Sequence, residues 1–253
     1  MLTYLILCGA AFLAGLIDAV VGGGGLINVP ALFSTYPNTV PATLFGTNKL
    51  GGIWGTTAAA FNYAKVVKIR WNIALPAALA ALVFSFLGAY VVTRISPDYF
   101  RQALPFILLV VALYTFKRKD FGQSQAPRLS GIKERYLALL TGAVLGFYDG
   151  FFGPGTGSFL IFVFVRFFGV DFLSASAISK TVNVATNLAA LVLFGASGHI
   201  LWSVGLAMAV FGVAGSLIGT RLAIRHGSQF VRRLFLCVVM GLIIKTFYDA
   251  FLR

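Results

Sequence analysis

Hydrophobic positions in this chain come in long blocks rather than in the narrow stripes of a helix that faces water on one side. Blocks at about 3–36, 41–63, 71–93 and 99–116 are followed by blocks at 135–168, 172–195, 202–224 and 230–250. A hydrocarbon core of about 30 Å takes roughly 20 residues to cross as helix, and a helix satisfies its own backbone there, so the blocks predict transmembrane α-helices. The first block of each set is broken by glycine, at Gly22-Gly23-Gly24-Gly25 and at Gly153-Pro154-Gly155-Thr156-Gly157-Ser158. Each break ends one helix and begins another.

The two sets are one pattern used twice. Adding 131 to a residue number between Gly15 and Phe116 finds its counterpart without a gap. Asp18 falls on Asp149, Gly22 on Gly153, Lys49 on Lys180, Trp71 on Trp202, Arg94 on Arg225 and Arg101 on Arg232. Gly and Ala matches are cheap in such a chain, but Asp, Lys, Trp and Arg in one register mark a duplication. The expected organisation is an N-terminal membrane repeat over 1–116, a cytoplasmic linker over 117–134 and a C-terminal membrane repeat over 135–253.

Composition agrees: 59% of residues are hydrophobic, 11% are charged and the mean hydropathy is +0.91, where a soluble domain carries roughly 25% charged residues. The net charge of +13 would suggest nucleic acid on a soluble protein. Here the basic residues lie mostly in connections between apolar blocks, as membrane topology requires, with no basic stripe interleaved with aromatics. Cys8 and Cys237 sit singly in apolar segments and define neither a disulfide framework nor a metal site. The N-terminus lacks a basic leader and a small-residue cleavage site, and is expected to belong to the mature protein.

Orientation depends on whether each half crosses an odd or even number of times. With an odd count, 14 basic residues (Lys65, Lys68, Arg70, six in or bordering the linker, Arg166, Arg221, Arg225, Arg232 and Arg233) share one side, against Arg94, Arg101 and Arg253 on the other. An even count splits the same residues 10 to 7, so the positive-inside rule favours odd crossing, with inverted halves and both termini non-cytoplasmic. Odd crossing makes the broken first block a re-entrant hairpin or a double crossing. Its second limb, Leu26 to Tyr36, is only about 16 Å of helix, which favours the hairpin.

Three features carry chemistry. Helix N-termini at the glycine breaks expose backbone N–H groups that attract anions, which singles out Gly23, Gly24, Gly25, Gly155, Thr156, Gly157 and Ser158. Lys49 and Lys180 each lie about 12 Å inside their segments, where a charge is costly and faces a cavity or a partner. Their neighbours Thr47, Asn48, Thr181 and Asn183 form a polar helix face suited to a small oxyanion, with Thr56 and Asn187 further along. Asp18 and Asp149 close the first helix of each half, where the helix dipole disfavours a carboxylate; each either pairs with Lys49 or Lys180 or carries a proton coupled to transport. Trp71, Trp202 and the arginines at helix ends read as interfacial anchors. His199 and His226 stand isolated in expected loops, so no catalytic constellation forms and no metal or cofactor is called for.

The chain resembles the TauE/SafE sulfite exporter family over essentially its whole length. The resemblance rests on Gly15-Leu16-Ile17-Asp18 through the Gly22–Gly25 run, on Val29-Pro30-Ala31-Leu32, on Gly46-Thr47-Asn48-Lys49-Leu50, and on the echoes Asp149-Gly150-Phe151-Phe152-Gly153-Pro154-Gly155 and Ser179-Lys180-Thr181. It implies a bacterial inner-membrane permease for sulfur oxyanions or small organosulfonates. The expected protein is an all-α, polytopic inverted-repeat secondary transporter of a small anion, embedded in lipid, without nucleic-acid partners, and monomeric or homo-oligomeric. An anion channel is the first alternative and a membrane assembly or scaffold protein the second.

Overall fold

The computed structural model describes residues 2–95 and 130–251, with side chains described to residue 234 apart from 228 and 232. The block at 99–116, the linker to residue 129, Arg101, Arg253 and the side chains of Arg232 and Cys237 lie outside the described residues. All regular structure among the described residues is helical. In chain order the helices are α1 (Leu2–Val21), α2 (Gly25–Thr35), α3 (Pro41–Val66), α4 (Trp71–Arg94), α5 (Gly131–Phe151), α6 (Thr156–Phe168), α7 (Phe172–Ala196) and α8 (Trp202–Phe251), the last interrupted at Gly227. Helix α5 begins at Gly131, so the last residues of the expected linker form its first turn.

Helices α1, α4, α7 and the Trp202–Gly227 part of α8 are long and apolar enough to cross a membrane. Helix α3 is long enough too, about 39 Å at 1.5 Å per residue, but carries Thr47, Asn48, Lys49 and Thr56 toward the protein interior. Helices α2 and α6 are short limbs of 11 and 13 residues.

Contacts along the helices show the inversion. The Tyr4 hydroxyl meets Ser203 at 3.4 Å near the start of α8, and Leu16 lies beside Gly219 further along, so α1 and α8 run parallel from one end of the bundle. At that end α3 also begins, its Gly46 against the His199 carbonyl that follows α7. Helices α4 and α5 begin together at the opposite end, where Arg70 and Asn72 donate to the Glu134 carboxylate, and run parallel through the Ala77–Gly142, Ala81–Gly146 and Ser85–Gly150 contacts. The first helices of the two halves therefore start at opposite ends. Helix α2 turns back toward the α1 end, since its Leu32 packs with Leu7 and Leu44. Each first block is thus a hairpin.

The halves interlock rather than sit side by side. The first helix of each half packs on the last long described helix of the other, α1 on α8 and α5 on α4. A Cβ on Gly15 would lie 2.2 Å from the Gly212 carbonyl oxygen, and one on its counterpart Gly146 would lie 2.5 Å from the Ala81 Cα. Backbones come this close because lipid offers no hydrophobic drive between helices, and contact area takes its place. Ser85 Oγ donates to the Thr186 carbonyl at 2.9 Å and Ser216 Oγ to the Gly55 carbonyl at 2.5 Å, again counterparts at the offset of 131. Trp71 and Trp202, 57% and 55% exposed, stand at the ends of their helices as interfacial anchors do. His226, expected in a loop, lies within α8 ahead of Gly227, where its Nδ1 is 2.9 Å from the Leu222 carbonyl oxygen. Gly227, at φ +71°, breaks the helix between the expected blocks at 202–224 and 230–250.

Glu134 is 2% exposed and ties α4 to α5 at their shared start. Glu134→Ala leaves a guanidinium and an amide without their acceptor, at a cost of about 1–3 kcal/mol. The melting temperature of the purified protein in detergent is expected to fall by several degrees. An unchanged melting curve would show that water replaces the carboxylate at that end.

Candidate functional site

The glycine breaks bring the two hairpin tips together in the middle of the bundle. Gly22, at φ +77°, faces Gly157, and its carbonyl accepts the Ser158 N–H at 3.0 Å. Ser158 Oγ donates to the Val21 carbonyl at 2.8 Å, and Ser176 Oγ to the Val20 carbonyl at 3.2 Å. The carbonyls left open at the end of α1 are therefore satisfied by the other half. At the counterpart positions Phe45 replaces Ser176 and Ile27 replaces Ser158, side chains with no hydroxyl to donate, and Phe45 packs edge-on against Phe152 at 5.9 Å between ring centroids.

Both lysines are ion-paired, and each pairs across the repeat. Lys49 Nζ lies 2.5 Å from Asp149 Oδ2, and Lys180 Nζ lies 2.8 Å from Asp18 Oδ2. The Asp18 side chain is also reached by the Gly24 N–H at 3.3 Å and the Thr56 hydroxyl at 3.5 Å. The pairing answers two costs at once. A carboxylate at the C-terminal end of a helix opposes the dipole, and a buried ammonium needs a counter-charge.

Around these groups lies a cavity of about 60 Å³. Lys49, Asn48, Asn183, Asp18, Asp149, Gly24, Gly25, Gly155 and Gly157 of the predicted set line it, as do Thr56 and Asn187 from the polar face. Lys180 does not; it is fully buried behind Asp18. Gly23 is outside the lining, and so are four hydroxyl residues with bonds of their own. Thr47 Oγ donates to the Thr43 carbonyl and accepts the Leu201 N–H, Thr181 Oγ donates to the Ala177 carbonyl, Thr156 Oγ to the Gly153 carbonyl, and Ser158 is the tip clasp.

Sequence reasoning missed Asn28, which lines the cavity from α2 at 6% exposure. Its counterpart is Phe159, so comparison of the halves carried no signal for it. The Oδ1 atoms of Asn28 and Asn183 are buried without a hydrogen-bond partner. A cavity of this size has room for about four or five waters or one small polyatomic ion. The unpaired amide oxygens at its wall leave an occupant that donates a hydrogen bond, such as water, something to bind.

The cavity does not share the pseudo-symmetry of the fold. Ala11, Ala14, Gly15 and Gly212 line it, but their counterparts Gly142, Leu145, Gly146 and Ala81 do not. The cavity is displaced toward the end where α1 begins.

An all-helical bundle with inverted halves, hairpin tips at mid-depth and a charged cavity between them defines a multi-pass membrane protein of the transporter class. The family description "Sulfite exporter TauE/SafE" matches residues 7–246, and the chain belongs to this family. It is 35% identical over 240 residues to "Probable membrane transporter protein ORF9" of Sinorhizobium sp, covering 95% of this chain and 90% of that one. It is 34% identical over 246 residues to "Probable membrane transporter protein YfcA" of Escherichia coli K12, covering 95% and 88%. A "Probable membrane transporter protein" of Haemophilus influenzae is 35% identical over 249 residues, covering 96% and 94%. No solved structure matches the chain.

Proposed function

We propose that the protein is a secondary transporter of a small oxyanion, sulfite or an organosulfonate, working by alternating access with the anion held in the central cavity. The observation that carries this reading is the cavity between the hairpin tips, where the Lys49 ammonium, the Asn48 and Asn183 amides and the glycine-rich helix starts converge. These are groups that oxyanions use, and they lie in protein-lined space at mid-depth, where irregular backbone is tolerated. Contact between Gly22 and Gly157 closes a barrier that a continuous pore would lack, which supports a carrier over a channel. With Lys65, Lys68, Arg70 and Arg166 gathered at the α5 end, that end faces the cytoplasm, and both termini lie on the other side of a bacterial inner membrane. The cavity is then displaced toward the outside.

The test is counterflow in proteoliposomes with labelled sulfite and labelled methanesulfonate. Saturable exchange is expected for wild type, and Asn183→Leu, which fills the cavity wall with an apolar group, is expected to reduce it at least tenfold. Absence of exchange for both probes would reject the reading. Exchange unaffected by Asn183→Leu would move the anion out of this cavity.

A further inference from the structure

The charges around the cavity balance. Two ammonium groups meet two carboxylates, so a bound anion would bring an uncompensated charge into a buried site. We propose that Asp18 takes up one proton with each anion, so that the protein co-transports a proton and a monovalent oxyanion. This rests on the transport reading above and names its coupling ion and the charge class of its substrate.

The two pairs differ in the way such a role requires. The Asp149 side chain is 7% exposed and its Oδ2 is 2.5 Å from Lys49 Nζ; the Asp18 side chain is 22% exposed at 2.8 Å from Lys180 Nζ. Both carboxylates line the cavity, but Asp18 is the one that water reaches more freely. Thr56 from α3 stands 3.5 Å from the Oδ2 that pairs with Lys180, placed to accept the proton's hydrogen bond once Oδ2 is protonated. The Gly24 N–H of the hairpin tip stays on Oδ1 in either state.

The charged and titratable groups facing Asp18 are few. Lys180 comes from α7, Lys49 from α3 and Asp149 from α5 across the cavity, while Tyr63 of α3 is committed to the Ala19 carbonyl. Among the described residues, α2, α6 and α8 bring no such group to the cavity wall. Lys180 is fully buried with no other hydrogen-bond partner among the described residues, so protonation of Asp18 leaves its charge unanswered and the site at +1. A monovalent anion restores neutrality; a dianion leaves one charge over. The proton enters from the side toward which the cavity is displaced and leaves with the anion on the other.

Wild-type proteoliposomes given methanesulfonate, a monoanion at any working pH, should take up close to one proton per anion, read with an internal pH-sensitive dye. An inside-alkaline gradient should drive accumulation, and Asp18→Asn, whose amide mimics the protonated carboxyl, should abolish that accumulation and flatten the pH profile of exchange. Should Asp18→Asn fail to fold, the dye measurement on wild type decides. Net methanesulfonate uptake with no proton movement overturns the inference and leaves the transport reading standing. Proton movement that persists in folded Asp18→Asn also overturns it. No exchange of sulfite or methanesulfonate under any gradient rejects the transport reading and the inference with it.

Discussion

Lys49→Ala is expected to abolish anion exchange and to destabilise the folded protein by about 3–5 kcal/mol, the cost of stranding one member of a buried ion pair. The stranded group is Asp149, 5% exposed, near the C-terminal end of α5 where the dipole already opposes it. Because the partner belongs to the other half, the defect loosens the contact between halves rather than one helix. The double variant Lys49→Ala/Asp149→Ala removes both charges, and much of the lost stability should return while transport does not. Thermal unfolding in detergent, read alongside counterflow, separates the two effects. A double variant no more stable than the single one would mean that the groups are not energetically coupled. Transport restored in the double variant would remove the pair from the mechanism.

Gly22→Ala is expected to be nearly as damaging, for a steric reason. The residue adopts φ +77°, and a Cβ there would lie 2.3 Å from the Gly157 carbonyl carbon and 2.7 Å from the Ser158 nitrogen. The left-handed backbone costs roughly 1–2 kcal/mol for a residue with a side chain, and forced overpacking typically adds about 1–3 kcal/mol. Relief requires the hairpin tips to part, which breaks the Ser158 bonds to Gly22 and Val21. The counterpart Gly153, at φ +92°, has more room, since a Cβ would lie 3.2 Å from the Asp149 carbonyl oxygen. Gly153→Ala should therefore carry the backbone cost alone and retain more exchange than Gly22→Ala. Equal loss in the two would show that tip contact does not matter.

Much of this was legible in the chain. The offset of 131, the charge bias of the loops and the shortness of the second limb predicted inverted halves with a hairpin in each, because they reflect membrane crossing and duplication directly. The lysines and aspartates stood out because intramembrane charge is expensive. Pairing with Lys49 or Lys180 was one of two readings of the aspartates, but the crossed choice was not legible: a register of counterparts says which residues are equivalent, not which half supplies a partner. Reading every polar residue on α3 and α7 as cavity-facing overcounts, because a hydroxyl can satisfy itself on the preceding turn, as Thr47 and Thr181 do. Asn28 escaped for the opposite reason, being polar in one half and aromatic in the other.

The crossed ion pairs also bear on how the chain is made. Ribosomes deliver the first half before the second exists, so Asp18 and Lys49 enter the bilayer before either α5 or α7 can answer them. On insertion scales an unpaired Asp or Lys at the centre of a helix costs about 2.5–3.5 kcal/mol. The first half alone thus holds its charges in lipid without the partners they have in the complete fold. Asp18 and Lys49 gain the partners seen in the fold only when Lys180 and Asp149 arrive, which ties the settling of the first half to synthesis of the second.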